Sequence, residues 1–321
     1  MVSINQHVMD EVTDLLLHAE ALGCRYFRLA SGAHVIDMGI EVPGGWKAAQ
    51  IFTEINMAGL GTCSYRDFEL NDTISVPAVE VYVDNPELGC LVSQIAGLRL
   101  SEGEFAAIGS GPARALAAAA DDHCFELTSY RDISGSAVLG LQMSSLPNEG
   151  IARKAAEVCG VAPENMYLLA HPSASMVASV QVSARIVEQT INKMIRKDFD
   201  LSQLVFARGY CAVAPVSGDE LQAMGVINDS LLYGGKSVFW VRSDDAHIEE
   251  VLPQLITESS ADYGRLFIDL FEEAERDFYK MDLDIHSPAM VQMYNMNTGR
   301  VFSAGRIRKD ILLQSYFGLE E

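Results

Sequence analysis

The stretch from Tyr167 to Ile195, YLLAHPSASMVASVQVSARIVEQTINKMI, limits what this chain can fold into more than any other segment. It predicts a short apolar strand, a Pro-Ser turn and then a long, largely apolar helix. Along that helix Gln181, Arg185, Glu188 and Asn192 follow one another at steps of four, three and four residues, which places all of them on one helical face. An arginine and a carboxylate held side by side can position a water, tune a base and hold a charged substrate. The same stripe is also what the solvated side of an amphipathic helix looks like, and spacing alone does not choose between the two.

Composition narrows the field. At 321 residues with 49% apolar side chains, the chain can bury a large core, in one large domain or two. A net charge of −21 with no basic run argues against nucleic acid and anionic lipid as partners, because both are bound through clustered Lys and Arg. The six cysteines lie far apart with no C-x-x-C pair, so neither a zinc nor an iron–sulfur site is expected, and the thiols should be buried or free in a reducing compartment. The N-terminus, MVSINQHVMDEVTDLL, lacks the basic and apolar blocks of a signal peptide, and no stretch is long and apolar enough for a membrane span. The expectation is a cytoplasmic protein.

Strands and helices are predicted to mix without strict alternation, which favours an α+β fold over a regular parallel sheet. A first helix, capped by Asn5 and stopped by Gly23, precedes a hairpin over Tyr26–Leu29 and His34–Ile40. Helices are predicted over 46–58, 87–96, 113–120, 151–159, 219–230, 248–258 and 267–273. Strands are predicted near 62–65, 78–83, 105–108, 137–142, 204–207, 211–216 and 237–241. A second hairpin, 289–295 with 300–303, turns at Asn297-Thr298-Gly299. Two domains, 1–165 and 166–321, are the expected division.

Three further constellations could carry chemistry. Gly109-Ser110-Gly111-Pro112 before a helix could offer backbone N–H groups to an anion, with Arg114 one turn in; it could equally be an ordinary strand-to-helix turn. The run NDSLLYGG, with Asn228, Asp229, Tyr233, Gly234 and Gly235, could line a pocket or simply end a helix. The acidic-aromatic stretch Asp262–Lys280 could cover a heterocycle or belong to the core. No G-x-S-x-G elbow, Walker A loop or H-E-x-x-H motif is present.

Taken together, INMAGLGT (55–62), VPAVEVYVDNPELGCLVSQIAG (76–97), GSGPARAL (109–116), YLLAHPSASMVASVQVSARIVE (167–188), APVSGDELQAMGVINDSLLYGG (214–235) and DYGRLFIDLFEEAERDFYKMD (262–282) closely resemble the methenyltetrahydromethanopterin cyclohydrolase family of archaea. They occur in the family's order and span most of the chain. Three places depart from the pattern: His171, Ile285-His286-Ser287 and Tyr210-Cys211. The resemblance implies two α+β domains with a substrate cleft between them, a homotrimer, and reversible hydration of the methenyl cation of tetrahydromethanopterin to its formyl derivative. No metal or organic cofactor is expected. It also implies that Arg185 and Glu188 are the catalytic pair. Gln181, Ser183, Ser110, Gly111, Arg114, Asn228, Asp229, Tyr233, Gly234, Gly235 and Lys236 are read as substrate contacts, with Arg114, the 109–111 loop and Lys236 receiving the carrier's anionic groups. Two other readings stand beside this one: a non-catalytic protein that binds the pterin carrier, and a cyclohydrolase acting on a folate-type carrier.

Overall fold

Asn148 and Gly160 show how local sequence sets an element here. The Asn148 side chain accepts from the Ile151 N–H at 2.9 Å, Gly160 closes the helix with φ 67°, and between them Ile151, Ala152, Ala155, Ala156 and Cys159 turn one face of helix Glu149–Cys159 into the interior. The computed structural model describes residues 2–95, 97–103, 105–118, 123–277 and 280–319. These form strands β1 (Arg25–Arg28), β2 (His34–Asp37), β3 (Gly61–Glu69), β4 (Ser75–Val83), β5 (Leu98–Glu102), β6 (Phe105–Ser110), β7 (Ala137–Gln142), β8 (Met166–His171), β9 (Leu204–Ala212), β10 (Lys236–Val241), β11 (Met290–Asn295) and β12 (Val301–Gly305).

The chain divides into two compact units, residues 1–62 with 87–181 and residues 63–86 with 182–321. The division expected after residue 165 is not where these units part. The hairpin β3–β4 leaves the N-terminal part of the sequence to pair with β9, and the Tyr167–Ile195 segment is split after residue 181. Both units are mixed α+β, as the irregular alternation predicted.

The first unit has a six-stranded sheet in the order β1-β2-β8-β7-β6-β5. β8 is parallel to β2 and β7, and the outer pairs are antiparallel. Leu139, Leu141, Leu168 and Ala170 pack with Ile151, Ala152 and Ala155 of helix Glu149–Cys159. Helix Trp46–Asn56 comes close to β7 at Gly140, where an added Cβ would lie 2.7 Å from Phe52 Cζ and 2.8 Å from Asn56 Nδ2. Glycine at 140 is therefore a packing requirement.

The second unit has a six-stranded sheet in the order β12-β11-β10-β9-β4-β3, with β10 and β11 parallel. Helices Ile186–Arg196 and Glu220–Gly234 lie against it. Helices Phe267–Glu273 and Lys309–Phe317 pack on Glu220–Gly234 in turn, through a core that includes Leu232, Tyr233, Phe267, Phe271 and Leu312. Phe267 and Phe271 thus take the core reading of the acidic-aromatic stretch; Phe278 and Tyr279 lie outside the described residues.

Several elements differ from the sequence expectation. The strands expected at 204–207 and 211–216 are one strand, β9, which ends at Ala212. Arg208, Gly209 and Tyr210 each find a partner on β4 and on β10, so the ladder continues through them. Ser3, not Asn5, caps the first helix; Asn5 is buried and bonds Asp132, Pro112 and Val138. The helix expected over 113–120 spans Arg114–Ala117, with 119–120 outside the described residues. That expected over 87–96 is a π-helix over Glu87–Val92, with residue 96 outside the described residues. Helix Lys309–Phe317 was not expected at all. All six cysteines keep their thiols and five are buried. No helix among the described residues is long and apolar enough to cross a membrane.

Candidate functional site

The long helix expected after the Pro-Ser turn is two helices, Met176–Ala184 and Ile186–Arg196, and the break between them falls on Arg185. The Arg185 backbone (φ −74°, ψ 5°) leaves the helical region. Its N–H donates back to the Val182 carbonyl at 3.0 Å, while its own carbonyl accepts from the Gln189 N–H at 2.8 Å. Arg185 therefore caps the second helix, and Glu188 sits in that helix's first turn. The break puts the partial positive charge of a helix N-terminus beside the Glu188 carboxylate, which a continuous helix would have placed mid-span.

Arg185 Nη1 lies 3.5 Å from Glu188 Oε2, with side chains only 12% and 10% exposed. A buried ion pair of this kind is a poor stabiliser, because desolvating two charges offsets most of their attraction. Charges held out of bulk water act on their neighbours more strongly than they would in solvent.

The stripe continues to Arg196, whose guanidinium bonds Asn192 Oδ1 at 2.7 Å and the carbonyls of Leu283 and His286. Lys193, fully buried, bonds the Asp284 carboxylate at 2.9 Å and the Asp284 carbonyl at 2.8 Å; burial lowers its pKa. Lys197 bonds Asp284 as well, at 2.8 Å. The C-terminal end of helix Ile186–Arg196 is thereby tied to the 282–287 loop. Burial also brings His286 down to about 4, so it is neutral at physiological pH. His171 is buried too, edge-on to Phe52 with its ring Nδ1 3.0 Å from the Pro172 carbonyl.

Most of the other expected substrate contacts are occupied by the protein itself. Gly111 N–H donates to Ser93 O at 2.8 Å, Ala113 N–H to Val138 O at 2.9 Å, and Ser110 Oγ to Asn56 Oδ1 at 3.0 Å. Gly109 and Ser110 belong to β6 and pair with β7. These groups of the 109–111 loop are engaged within the first unit, as they would be in an ordinary strand-to-helix turn. Arg114 is buried, donating to the Leu91 and Val92 carbonyls at 3.2 and 2.8 Å and standing over the Phe125 ring at 5.3 Å. It donates to carbonyls at the C-terminal end of the π-helix, where backbone acceptors run out of helical donors. Arg114→Ala should accordingly lower unfolding stability by roughly 3 kcal/mol, by stranding buried carbonyls and opening a cavity, while leaving KM unchanged. Urea denaturation alongside steady-state kinetics checks both halves, and a raised KM in a fully folded variant would return Arg114 to the site.

The NDSLLYGG run is likewise turned inward. Asp229 accepts from the Phe267 N–H at 2.8 Å and from Ser315 Oγ at 2.6 Å. Tyr233 OH donates to the Arg265 carbonyl and accepts from the Gly264 N–H, and Asn228 Nδ2 bonds Met224 O. Gly234 packs on Leu312 and Ala212, and Gly235 on Ile186. Ser183 is buried with its hydroxyl on the Ala212 carbonyl at 2.9 Å. Gln181 is buried near the end of helix Met176–Ala184, and Lys236 is partly exposed at the start of β10.

Sequence reasoning missed Ile186, Thr190, Gly209 and Ser237, which surround the start of the second helix. Their signal lies in contacts between residues far apart in the chain, which no local pattern reports.

The structure thus holds a buried guanidinium–carboxylate pair at a helix start in a mixed α+β unit. The chain is a member of the family described as Cyclohydrolase (MCH), whose model matches residues 3–316. It is 38% identical over 319 residues to the methenyltetrahydromethanopterin cyclohydrolase of Methanocaldococcus jannaschii, covering 98% of each chain. To the protein of that name from Methanothermobacter marburgensis it is 37% identical over 322 residues, covering 99% of this chain and 100% of the other. To that from Methanospirillum hungatei it is 35% identical over 316 residues, covering 98% and 99%.

Proposed function

We propose that the protein interconverts the methenyl cation and the formyl derivative of tetrahydromethanopterin in archaeal one-carbon metabolism, with Glu188 as general base and Arg185 as its electrostatic partner. The observation that carries this reading is the buried Arg185–Glu188 pair, 3.5 Å apart, in a chain that matches the cyclohydrolase family almost end to end.

The chemistry suits the pair. Positive charge in the substrate is spread over two nitrogens and the carbon between them. Water adds to that carbon and must lose a proton as the C–O bond forms, and Glu188 takes it. The neutral adduct then opens: its C–N bond breaks, the departing nitrogen takes up a proton, and the hydroxyl loses one as its oxygen becomes the formyl carbonyl. One proton is released overall.

A carboxylate alone beside the cation would stabilise the ground state more than a transition state in which positive charge is disappearing, and that would slow the reaction. Arg185 offsets this overbinding and orients the carboxylate. A metal ion or organic cofactor is not required by this scheme, and a homotrimer in the cytoplasm is the assembly and setting the family resemblance implies.

Loss of the methenyl chromophore when enzyme is added to the carrier tests the proposal directly. Turnover on the tetrahydromethanopterin carrier well above that on a folate-type carrier supports it. Binding of the carrier without chromophore loss would favour a non-catalytic carrier-binding protein, and a preference for the folate carrier would replace the substrate.

A further inference from the structure

The second helix of the split segment starts against β9 and β10 in an unusual way. The central strands of the second unit's sheet align Val81, Gly209 and Ser237 in one row, Gly209 being the register partner of both neighbours. The Ile186 side chain enters this row at the one place without a side chain. An added Cβ on Gly209 would lie 2.5 Å from Ile186 Cγ2, 2.9 Å from Val81 Cγ2 and 3.0 Å from Val187 Cγ2. Gly235, just before β10, walls the other side; a Cβ there would overlap Ile186 Cδ1 and approach the Leu231 carbonyl to 2.6 Å.

The Ile186 backbone is held as firmly as its side chain. Its carbonyl lies 2.7 Å from Thr190 Oγ1 and 3.0 Å from Ser237 Oγ, and the two hydroxyls are 2.6 Å apart. All three residues are buried. The two hydroxyl protons can be arranged so that one hydroxyl donates to the other and the second donates to the carbonyl; at least one of them always reaches Ile186 O.

We propose that Gly209, Gly235, Ser237 and Thr190 form a socket for Ile186 that sets the rotation of the helix start and so aims Arg185 and Glu188. These are positioning residues, and the inference rests on the proposed roles of that pair. The geometry of a helix makes the link. Each residue advances about 100°, so Glu188 stands about 200° round from Ile186. Seating Ile186 against the sheet therefore points Glu188 away from it. A clash that rotates or lifts Ile186 swings the carboxylate by the same angle, and ~1 Å of misplacement at a reacting group is enough to lower a rate by ~10²-fold. The helix break at Arg185 makes the socket necessary, because the start of this helix is not held in line by a continuous preceding one.

The test is a double-mutant cycle between Gly209→Ala and Ile186→Ala, with kcat, KM and unfolding midpoint measured for each. Gly209→Ala is expected to lower kcat by roughly 10–100-fold with KM within about twofold. Adding Ile186→Ala, which removes the nearest of the clashing atoms, is expected to recover at least part of that loss. A purely structural role would show the loss and its recovery in the unfolding midpoint alone, with kcat unchanged, since residues in contact couple in stability whatever their function.

Ser237→Ala, which creates no clash, is expected to lower kcat several-fold by loosening the Ile186 carbonyl, with Ser237→Thr restoring it. If Gly209→Ala does not fold, the kcat of Ser237→Ala alone decides between the socket and its absence. Wild-type kcat in folded Gly209→Ala or in Ser237→Ala overturns the socket, as does a double mutant no better than Gly209→Ala. Glu188→Gln, assayed alongside, separates the two levels: if it stays active the base assignment fails, and if it is inactive while the socket variants are unaffected only the positioning role fails.

Discussion

Glu188→Gln is expected to lower kcat by ~10²- to 10⁴-fold, the range that a positioned general base supplies, while the carrier still binds. Glutamine keeps the size of the side chain and its place in the first helical turn. It cannot accept a proton from water at neutral pH. Binding should survive because the rest of the carrier's contacts are untouched, so the loss belongs to kcat and not to KM. Glu188→Asp keeps the carboxylate but withdraws it by one methylene, and should fall between the wild type and glutamine. Single-turnover loss of the methenyl chromophore reads the chemical step apart from product release. Near-normal turnover in Glu188→Gln would remove this side chain from the mechanism and leave the buried pair as a purely structural feature.

The second large effect concerns stability and pH. Asp229 is buried, and desolvation raises its pKa from 3.8 to about 7, working against the hydrogen bonds from Ser315 and the Phe267 N–H and reinforced by nearby Asp269. The folded protein thus holds a proton that the unfolded chain releases near pH 4. The stability linked to that proton is fully present below pH ~4, declines as pH rises toward 7, and is gone above it. At about 1.4 kcal/mol per pK unit, the whole change amounts to roughly 4 kcal/mol. Asp229→Asn can keep both contacts, with its oxygen accepting from Phe267 N–H and its amide donating to Ser315 Oγ, and it never ionises. Its stability is expected to match wild type near pH 4 and to exceed it at pH 8. Urea midpoints across that range check this; parallel curves for the two proteins would show that Asp229 is not the titrating group. KM should be unchanged, since both carboxylate oxygens are used within the second unit.

How far the sequence reached can be seen in particular residues. The adjacency of Arg185 and Glu188 was legible because residues three apart in a helix are neighbours whatever the surrounding fold, and it survives a break at Arg185 because the next turn begins at once. Helix Glu149–Cys159 and the β11–β12 hairpin were legible for the same reason: caps, turn residues and period are local signals. Helix Phe267–Glu273 was placed to the residue.

The expected anion loop and the NDSLLYGG run show what local sequence leaves open. Whether a polar group is available to a ligand depends on what else reaches it. Gly111 is met by Ser93, Asp229 by Phe267 and Ser315, and Arg114 by Leu91 and Val92, all distant in sequence. Local pattern carries no record of these partners.

The sequence by itself thus determined the family, the mixed α+β character of the chain and the pairing of one arginine with one glutamate, because each follows from residue order or from short-range spacing. Only the tertiary structure decided that the helix breaks at Arg185, that two glycines from different parts of the second unit open a seat for Ile186, and that most other polar candidates are consumed internally. Those outcomes depend on van der Waals contact and hydrogen bonding between segments that meet only after the chain has folded.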